Sequence, residues 1–131
     1  MYHQIIVVGN VGQDAEMRYT PSGAAVASFS VATNRQYTAT SGEKVKETVW
    51  FRISAWGKQA ETCNQYVKKG MKVLVEGRLN ADDNGGPRVW EAKDGSSRSS
   101  FEVTANTVRF LSQRGEQADA GDTLPPEDDP F

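Results

Sequence analysis

The sequence predicts an all-β domain, and three observations support that prediction. Apolar and polar residues alternate in several segments, as they do in strands that bury one face. Glycine-containing turns separate these segments, and only one segment has the spacing of an amphipathic helix. The length of 131 residues fits one compact domain followed by a tail.

The first two strands are a β-branched run and a long alternating segment. Residues 4–12 contain four consecutive β-branched residues, followed by Gly9 and Gly12 near the end of the segment. Residues 24–37 alternate, with Phe29 on one side and small or polar side chains on the other. A polar loop at residues 38–42 leads into the next strand, so residues 24–55 are predicted to form a long hairpin.

The third strand has the cleanest alternation in the chain. Its apolar face, which suits a core, comprises Val49, Phe51, Ile53 and Ala55. Its opposite face, which should meet solvent, comprises Trp50, Arg52, Ser54 and Trp56. The pattern therefore places two tryptophans and an arginine on an exposed surface.

One helix is predicted over residues 58–69. Gly57 suits the N-cap, Lys68 and Lys69 would lie in the last turn, and Gly70 suits the position after the helix. A narrow apolar stripe that includes Cys63 would face the core.

Two further strands follow the helix, at residues 73–79 and 101–111. Residues 80–100, between them, are rich in Gly, Asp, Ser and Asn and predict a long, mobile hairpin excursion. Five strands with one short helix between the third and the fourth is the order of the OB-fold, a barrel that binds oligonucleotides or oligosaccharides.

Charge divides the chain into two parts. All 15 Lys and Arg but only 11 of the 17 Asp and Glu fall within residues 1–114, which therefore carry a net charge of +4. The remaining acids lie in the tail, and the hydrophobic fraction of 37% is low for a chain that is globular throughout. We predict an OB-fold domain at residues 1–112 and a disordered acidic tail at residues 113–131.

Residues for catalysis or for metal binding are scarce. His3 is the only histidine, and Cys63 falls on the apolar stripe of the helix, where a buried structural thiol is expected. The acidic pairs at residues 82–83 and 128–129 are typical of solvated loops. The sequence predicts no enzyme activity, no metal and no cofactor. It also contains no membrane span or signal segment, which favours the cytoplasm.

The exposed face of the third strand favours single-stranded nucleic acid as a ligand. Such binding needs cations that follow the phosphates and aromatic rings on which bases stack. Trp50, Arg52 and Trp56 supply both on one face, with the two rings about 20 Å apart along the strand. Exposed tryptophans also occur in subunit interfaces, which is the alternative for this pair.

Two further aromatics extend the surface predicted to bind single-stranded nucleic acid. Tyr37 ends the second strand beside a loop, and Trp90 lies in the polar excursion with basic residues on either side. Those basic neighbours are Arg88, Lys93 and Arg98. Four of the five phenylalanines, by contrast, are expected in the core, namely Phe29, Phe51, Phe101 and Phe110.

The C-terminal tip predicts a second binding site, for a protein partner. It comprises Pro126, Glu127, Asp128, Asp129, Pro130 and Phe131. A terminal aromatic after a run of acids suits a basic, apolar pocket that also captures the terminal carboxylate. A tail that only increases solubility is the alternative.

Several motifs resemble those of the bacterial single-stranded DNA-binding protein family. In chain order they read VGNVGQDAEMRY at 8–19, WFRI at 50–53, WGK at 56–58 and YVKKG at 66–70. The resemblance covers residues 4–111 and returns at the C-terminal tip. Three departures stand out, namely Trp56 where Phe is frequent, Asp129 where an aliphatic residue is frequent, and a longer segment at 80–90.

The resemblance implies a homotetramer of OB-folds that coats and protects single-stranded DNA in replication, recombination and repair. It implies stacking roles for Tyr37, Trp50, Trp56 and Trp90, and recruitment of partner enzymes by the C-terminal tip. It also implies a cytoplasmic, nucleoid-associated location. Two other functions stay open from the residues themselves, namely an OB-fold adaptor that acts by protein–protein contacts and an RNA-binding OB module.

Overall fold

The computed structural model describes residues 1–111, so the tail and the predicted partner-binding tip at 126–131 lie outside the described residues. The elements, in chain order, are β1 (Ile5–Val11), β2 (Glu16–Tyr19), β3 (Ala25–Thr38), β4 (Lys44–Trp56), α1 (Lys58–Tyr66), β5 (Lys72–Asn80), β6 (Arg88–Glu91) and β7 (Ser97–Phe110).

Five of these strands close into a barrel. The strand order β1-β5-β7-β4-β3 returns on itself because β1 also pairs with β3, at Asn10↔Ala32 and Val11↔Val31. The β4–β7 pair is parallel, and the other barrel pairs are antiparallel. The helix α1 connects the third and fourth barrel strands. The predicted five-stranded OB-fold is therefore confirmed.

Closure of the barrel depends on two glycines where neighbouring backbones nearly touch. A Cβ atom on Gly9 would overlap the carbonyl oxygen of Ala32, and one on Gly77 would overlap the carbonyl oxygen of Thr104. Neither contact is with a flexible side chain that could move aside. A side chain at either position would therefore force the strands apart.

Aliphatic side chains fill the barrel. Its largest fully buried residues are Ile53, Val11, Val26, Val31, Val67, Val73, Val75, Val103 and Cys63. The prediction that four phenylalanines are core residues is only partly correct: Phe29 is buried and Phe51 is half-buried against the core, whereas Phe101 and Phe110 are exposed. Phe101 is 52% exposed beside the half-buried Phe51, and it lines an apolar cavity of about 510 Å³ at one end of the barrel. Phe110 is exposed near the end of β7, where its ring lies 6.1 Å from that of Tyr66.

The helix is shorter than predicted, because it ends at Tyr66. Val67 is fully buried in an extended conformation, and its carbonyl accepts a hydrogen bond from the Ala15 N–H at 3.2 Å. This contact draws the chain away from the helix axis, so Lys68 and Lys69 lie beyond the last turn. Gly57 is the N-cap, as predicted.

Two short strands had no bounds predicted from the sequence. β2 pairs with β3. β6 pairs with β7 as an antiparallel hairpin, which confirms the hairpin predicted within residues 80–100. Each has only 4 residues, which is too short for an alternating pattern to be recognised. Within residues 1–111, no helix has the length and the apolar composition that crossing a membrane requires.

Candidate nucleic-acid interface

The predicted face of β4 stands opposite small side chains of β3. The antiparallel register pairs Trp50 with Ala32, Arg52 with Ser30 and Ser54 with Ser28. Paired residues point to the same side of a sheet, so the large groups of β4 have small neighbours across the strand. The tryptophans and the arginine are therefore the large side chains of this surface.

The three large groups on the face differ in exposure. Trp56 is 46% exposed, whereas Trp50 and Arg52 are partly buried. Arg52 lines a small recess of about 60 Å³ whose other walls include Gln13 and Glu16. Trp56 is therefore the ring on β4 that is most open to a ligand.

β7 continues this face on the other side of β4. The parallel register places Glu102 beside Arg52 and Thr104 beside Ser54. Glu102 accepts a hydrogen bond from the Ser100 hydroxyl at 3.1 Å. The face thus changes from aromatic and basic on β4 to polar and acidic on β7.

β6 brings the predicted residues Arg88 and Trp90 to the same face. Arg88 pairs with Ser100 and Trp90 pairs with Arg98, and both partners lie on the side of β7 that carries Glu102. The Arg88 guanidinium lies 5.4 Å from the centre of the Trp90 ring, within the range of a cation–π contact. Register therefore joins Trp90 to the same surface as Trp50 and Trp56.

The turn between β6 and β7 carries Lys93, which is exposed. The turn is stabilised by Asp94, whose carboxylate accepts hydrogen bonds from the Ser96 hydroxyl at 2.6 Å and the Ser96 N–H at 2.9 Å. These hydrogen bonds, with a smaller contribution from the charge of Arg98, hold the pKa of Asp94 below its ordinary value. Arg98 lies 3.9 Å from the same carboxyl group.

Tyr37 lies on the other face of the β3–β4 hairpin. Its cross-strand partner is Val45, whereas the partners of Trp50 and Trp56 belong to the opposite side of the strands. Tyr37 is 43% exposed, with the Arg35 guanidinium 4.8 Å from its ring centre. The structure therefore does not place Tyr37 on the face that carries the three tryptophans.

Sequence reasoning missed two polar residues of this surface. Arg18 on β2 pairs with Val26, the residue that also pairs with Trp56, and it donates a hydrogen bond to Ser28 at 3.4 Å. Glu102 contacts Arg88 across the β6–β7 hairpin. The short alternation of Glu16 and Arg18 was the only signal for the first, and no local signal pointed to the second.

The candidate chemical groups outside this surface have structural partners. The His3 imidazole Nε2 accepts a hydrogen bond from the Leu79 N–H at 3.0 Å. Burial raises the pKa of the Cys63 thiol to about 11, which makes it a poor nucleophile at neutral pH. Residues 1–111 contain no group of three or more side chains suited to holding a metal ion.

Comparison with known proteins shows which family contains this barrel. The sequence profile of the single-strand binding protein family matches residues 2–111. The chain belongs to this family. The family resemblance inferred from the motifs is thereby confirmed.

Relatives in the single-strand binding protein family have similar sequences over most of this chain. The single-stranded DNA-binding protein of Wolinella succinogenes is 39% identical over 115 residues, which are 88% of this chain and 67% of that protein. The corresponding protein of Neisseria meningitidis is 37% identical over 88% of this chain and 63% of its own length. That of Helicobacter hepaticus is 35% identical, and the match spans 64% of it.

Two solved structures have the same fold. A Plasmodium falciparum SSB in complex with ssDNA superposes with a TM-score of 0.69 at 24% identity, covering 86% of this chain and 97% of that one. A deletion mutant of the single-stranded DNA binding protein from Thermus aquaticus gives a TM-score of 0.64 at 30% identity, covering 86% of this chain and 51% of that one.

Proposed function

We propose that this protein binds single-stranded DNA without sequence preference, on the face that carries Trp50, Arg52, Trp56, Arg88 and Trp90. The observation that supports this most directly is the strand register, which puts three tryptophans and three arginines, Arg52, Arg88 and Arg98, on one continuous side of β4, β7 and β6. The names of the relatives and the ssDNA in the Plasmodium complex agree with it.

The proposed mechanism has two components. Bases stack on the exposed ring of Trp56 and on the accessible parts of the Trp50 and Trp90 rings, which contributes about 1–3 kcal/mol per base whatever its identity. Phosphates lie against guanidinium groups, so binding releases counterions and weakens as salt is added. Lys93 extends the basic surface at the hairpin turn, and Tyr37 offers a ring to a strand that passes around the edge of the β3–β4 hairpin.

The wider role that we propose is coating and protecting single-stranded DNA in replication, recombination and repair, without catalysis or a cofactor. The protein would act as a cytoplasmic, nucleoid-associated homotetramer, and its 126–131 tip would recruit partner enzymes. Exposed apolar side chains on β1, Ile6 at 61% and Val8 at 47%, support contact between subunits. Native mass spectrometry tests the tetramer, and a particle with the mass of a single chain would contradict it.

Fluorescence titration tests the DNA-binding proposal. Oligo-dT should quench the tryptophan fluorescence strongly at low salt. The slope of log affinity against log salt concentration should be about −0.7 for each phosphate contact. Oligo-U is the matched ligand, because an RNA-binding module would bind it equally or more tightly. Unchanged fluorescence with oligo-dT at low salt would rule out the proposed function.

Deletion of residues 127–131 separates DNA binding from partner recruitment. The truncated chain should keep its affinity for oligo-dT, because the described interface lies on the barrel and the β6–β7 hairpin, and should lose capture of partner enzymes. An adaptor that acts mainly by protein–protein contacts would instead bind oligo-dT weakly both before and after the deletion.

A further inference from the structure

Trp90 is held differently from the tryptophans of the barrel. Its strand, β6, pairs with β7 alone among the strands of residues 1–111. A ring on such a strand has little backbone support. Its orientation must come largely from side chains, and the guanidinium of Arg88, two residues earlier on the same side of β6, lies 5.4 Å from the ring centre.

Arg88 is itself held by a carboxylate. Its guanidinium lies 3.8 Å from the Oε2 atom of Glu102 on β7. That distance is too long for a direct hydrogen bond but within the range of an ion pair. The Arg88 side chain is 56% exposed and the Glu102 side chain only 17%, so Glu102 is the more buried partner.

A serine fixes the carboxylate in turn. The Ser100 hydroxyl donates a hydrogen bond to the same Oε2 atom, and Ser100 is 4% exposed. Ser100 is also the cross-strand neighbour of Arg88. A buried serine, a carboxylate, a guanidinium and an indole ring therefore form a chain of contacts from the hairpin floor to its surface.

We propose that Glu102 is a positioning residue that keeps Arg88 against Trp90 and so prepares the ring for base stacking. This inference rests on the function proposed above. An acidic group on a phosphate-binding face should weaken DNA binding by repulsion. The positioning role predicts instead that Glu102 strengthens DNA binding. Its charge is paired with that of Arg88, and a preorganised ring loses less conformational freedom on binding.

A double-mutant cycle with oligo-dT distinguishes positioning from simple repulsion. Glu102→Gln removes the charge but keeps an oxygen that accepts the Ser100 hydrogen bond. It should weaken binding about threefold, the scale of an exposed cation–π or ion-pair contact. In a Trp90→Leu background the same change should cause no weakening. Glu91→Gln, which removes a charge from β6 itself, is the control and should not weaken binding.

Two outcomes of the cycle would overturn the proposal. One is that Glu102→Gln strengthens binding as a general loss of negative charge does. The other is that it weakens binding equally with and without Trp90, which would show a structural effect unrelated to the ring.

A DNA-free measurement keeps this test separate from the proposed function. In a Trp50→Phe/Trp56→Phe protein, Trp90 is the only one of the 3 tryptophans left, so its emission reports on that ring alone. Glu102→Gln should raise acrylamide quenching about twofold as Arg88 leaves the ring face, and Glu91→Gln should not. If the Glu102→Gln change left acrylamide quenching unaltered, the positioning role would be contradicted. Failure of the parent protein to bind oligo-dT would contradict only the proposed function.

Discussion

Trp56 and Trp90 reach the same face of the protein by different means. Trp56 ends β4, where it pairs with Val26 of β3, and it lies two residues beyond the stretch of β4 that also pairs with β7. Trp90 lies on β6, which within the described chain pairs only with β7, and its ring contacts Arg88, which in turn lies beside Glu102. The first ring is positioned by backbone pairing and the second by charged side chains.

This difference determines how each part of the face responds to its surroundings. Backbone hydrogen bonds within a closed barrel are insensitive to salt and to moderate pH, whereas exposed ion pairs are screened by salt. The β6–β7 hairpin is therefore the part of the proposed interface that solution conditions can adjust. The barrel face should keep its geometry throughout.

Glycine substitutions should give the largest contrast between the barrel and the hairpin. Gly77→Ala would drive a methyl group into the backbone of β7, and we expect it to lower the free energy of unfolding by about 3 kcal/mol. Gly85→Ala, in the loop before β6, meets no atom within 4 Å and bears only a positive φ of 83°, so it should cost about 1 kcal/mol. Urea unfolding of both variants measures the contrast, and equal losses would show that barrel closure does not depend on this contact.

Loss of a single ring should separate the two regions by their response to salt. Trp56→Leu should weaken oligo-dT binding about tenfold at both low and high salt, because stacking on a backbone-fixed ring is not ionic. Trp90→Leu should cost less at high salt than at low salt, because screening has already loosened the ion pair that holds its arginine. Affinities at two salt concentrations, each divided by that of the parent protein, give the comparison.

Tyr66→Leu is the control for this pair. Tyr66 is 52% exposed but belongs to α1 and lies beside Phe110, away from the proposed interface. Its replacement should leave DNA affinity unchanged. If the Trp56→Leu and Trp90→Leu ratios fell in parallel with salt, the two rings would be positioned in the same way.

Local patterns in the sequence predict the barrel part of this comparison well. The alternation from Val49 to Trp56 identified the face of β4, and the order of strands and helix identified the fold. Both depend on residues close together in the chain, which is why periodicity captures them. The helix end was missed because burial of Val67 draws the chain away before the lysines and the glycine that suggested a stop.

Local patterns predicted a hairpin at residues 80–100 but not the pairing within it. The position of Trp90 depends on how β6 pairs with β7, and Glu102 meets Arg88 only through that pairing. Tyr37 shows the same limit, because the register set by Thr38↔Lys44 puts it on the side opposite Trp50. A shift of one residue in that register would have reversed the result.

Acid should have the smallest and most local effect, at the turn that precedes β7. The hydrogen bonds from Ser96 lower the pKa of Asp94 below its ordinary value of 3.8. Stabilisation of the turn by this carboxylate is therefore complete above that ordinary value and is lost as the pH falls through the lower pKa of the folded protein.

An NMR titration of the Asp94 carboxyl carbon should show a midpoint below 3.8, and the Ala92 amide, which donates to the Ser96 carbonyl at 2.8 Å, should shift in the same transition. Ser96→Ala removes the hydroxyl donor and should raise the midpoint; a midpoint that stays unchanged would show that the hydroxyl does not hold the charge that orders this end of the hairpin.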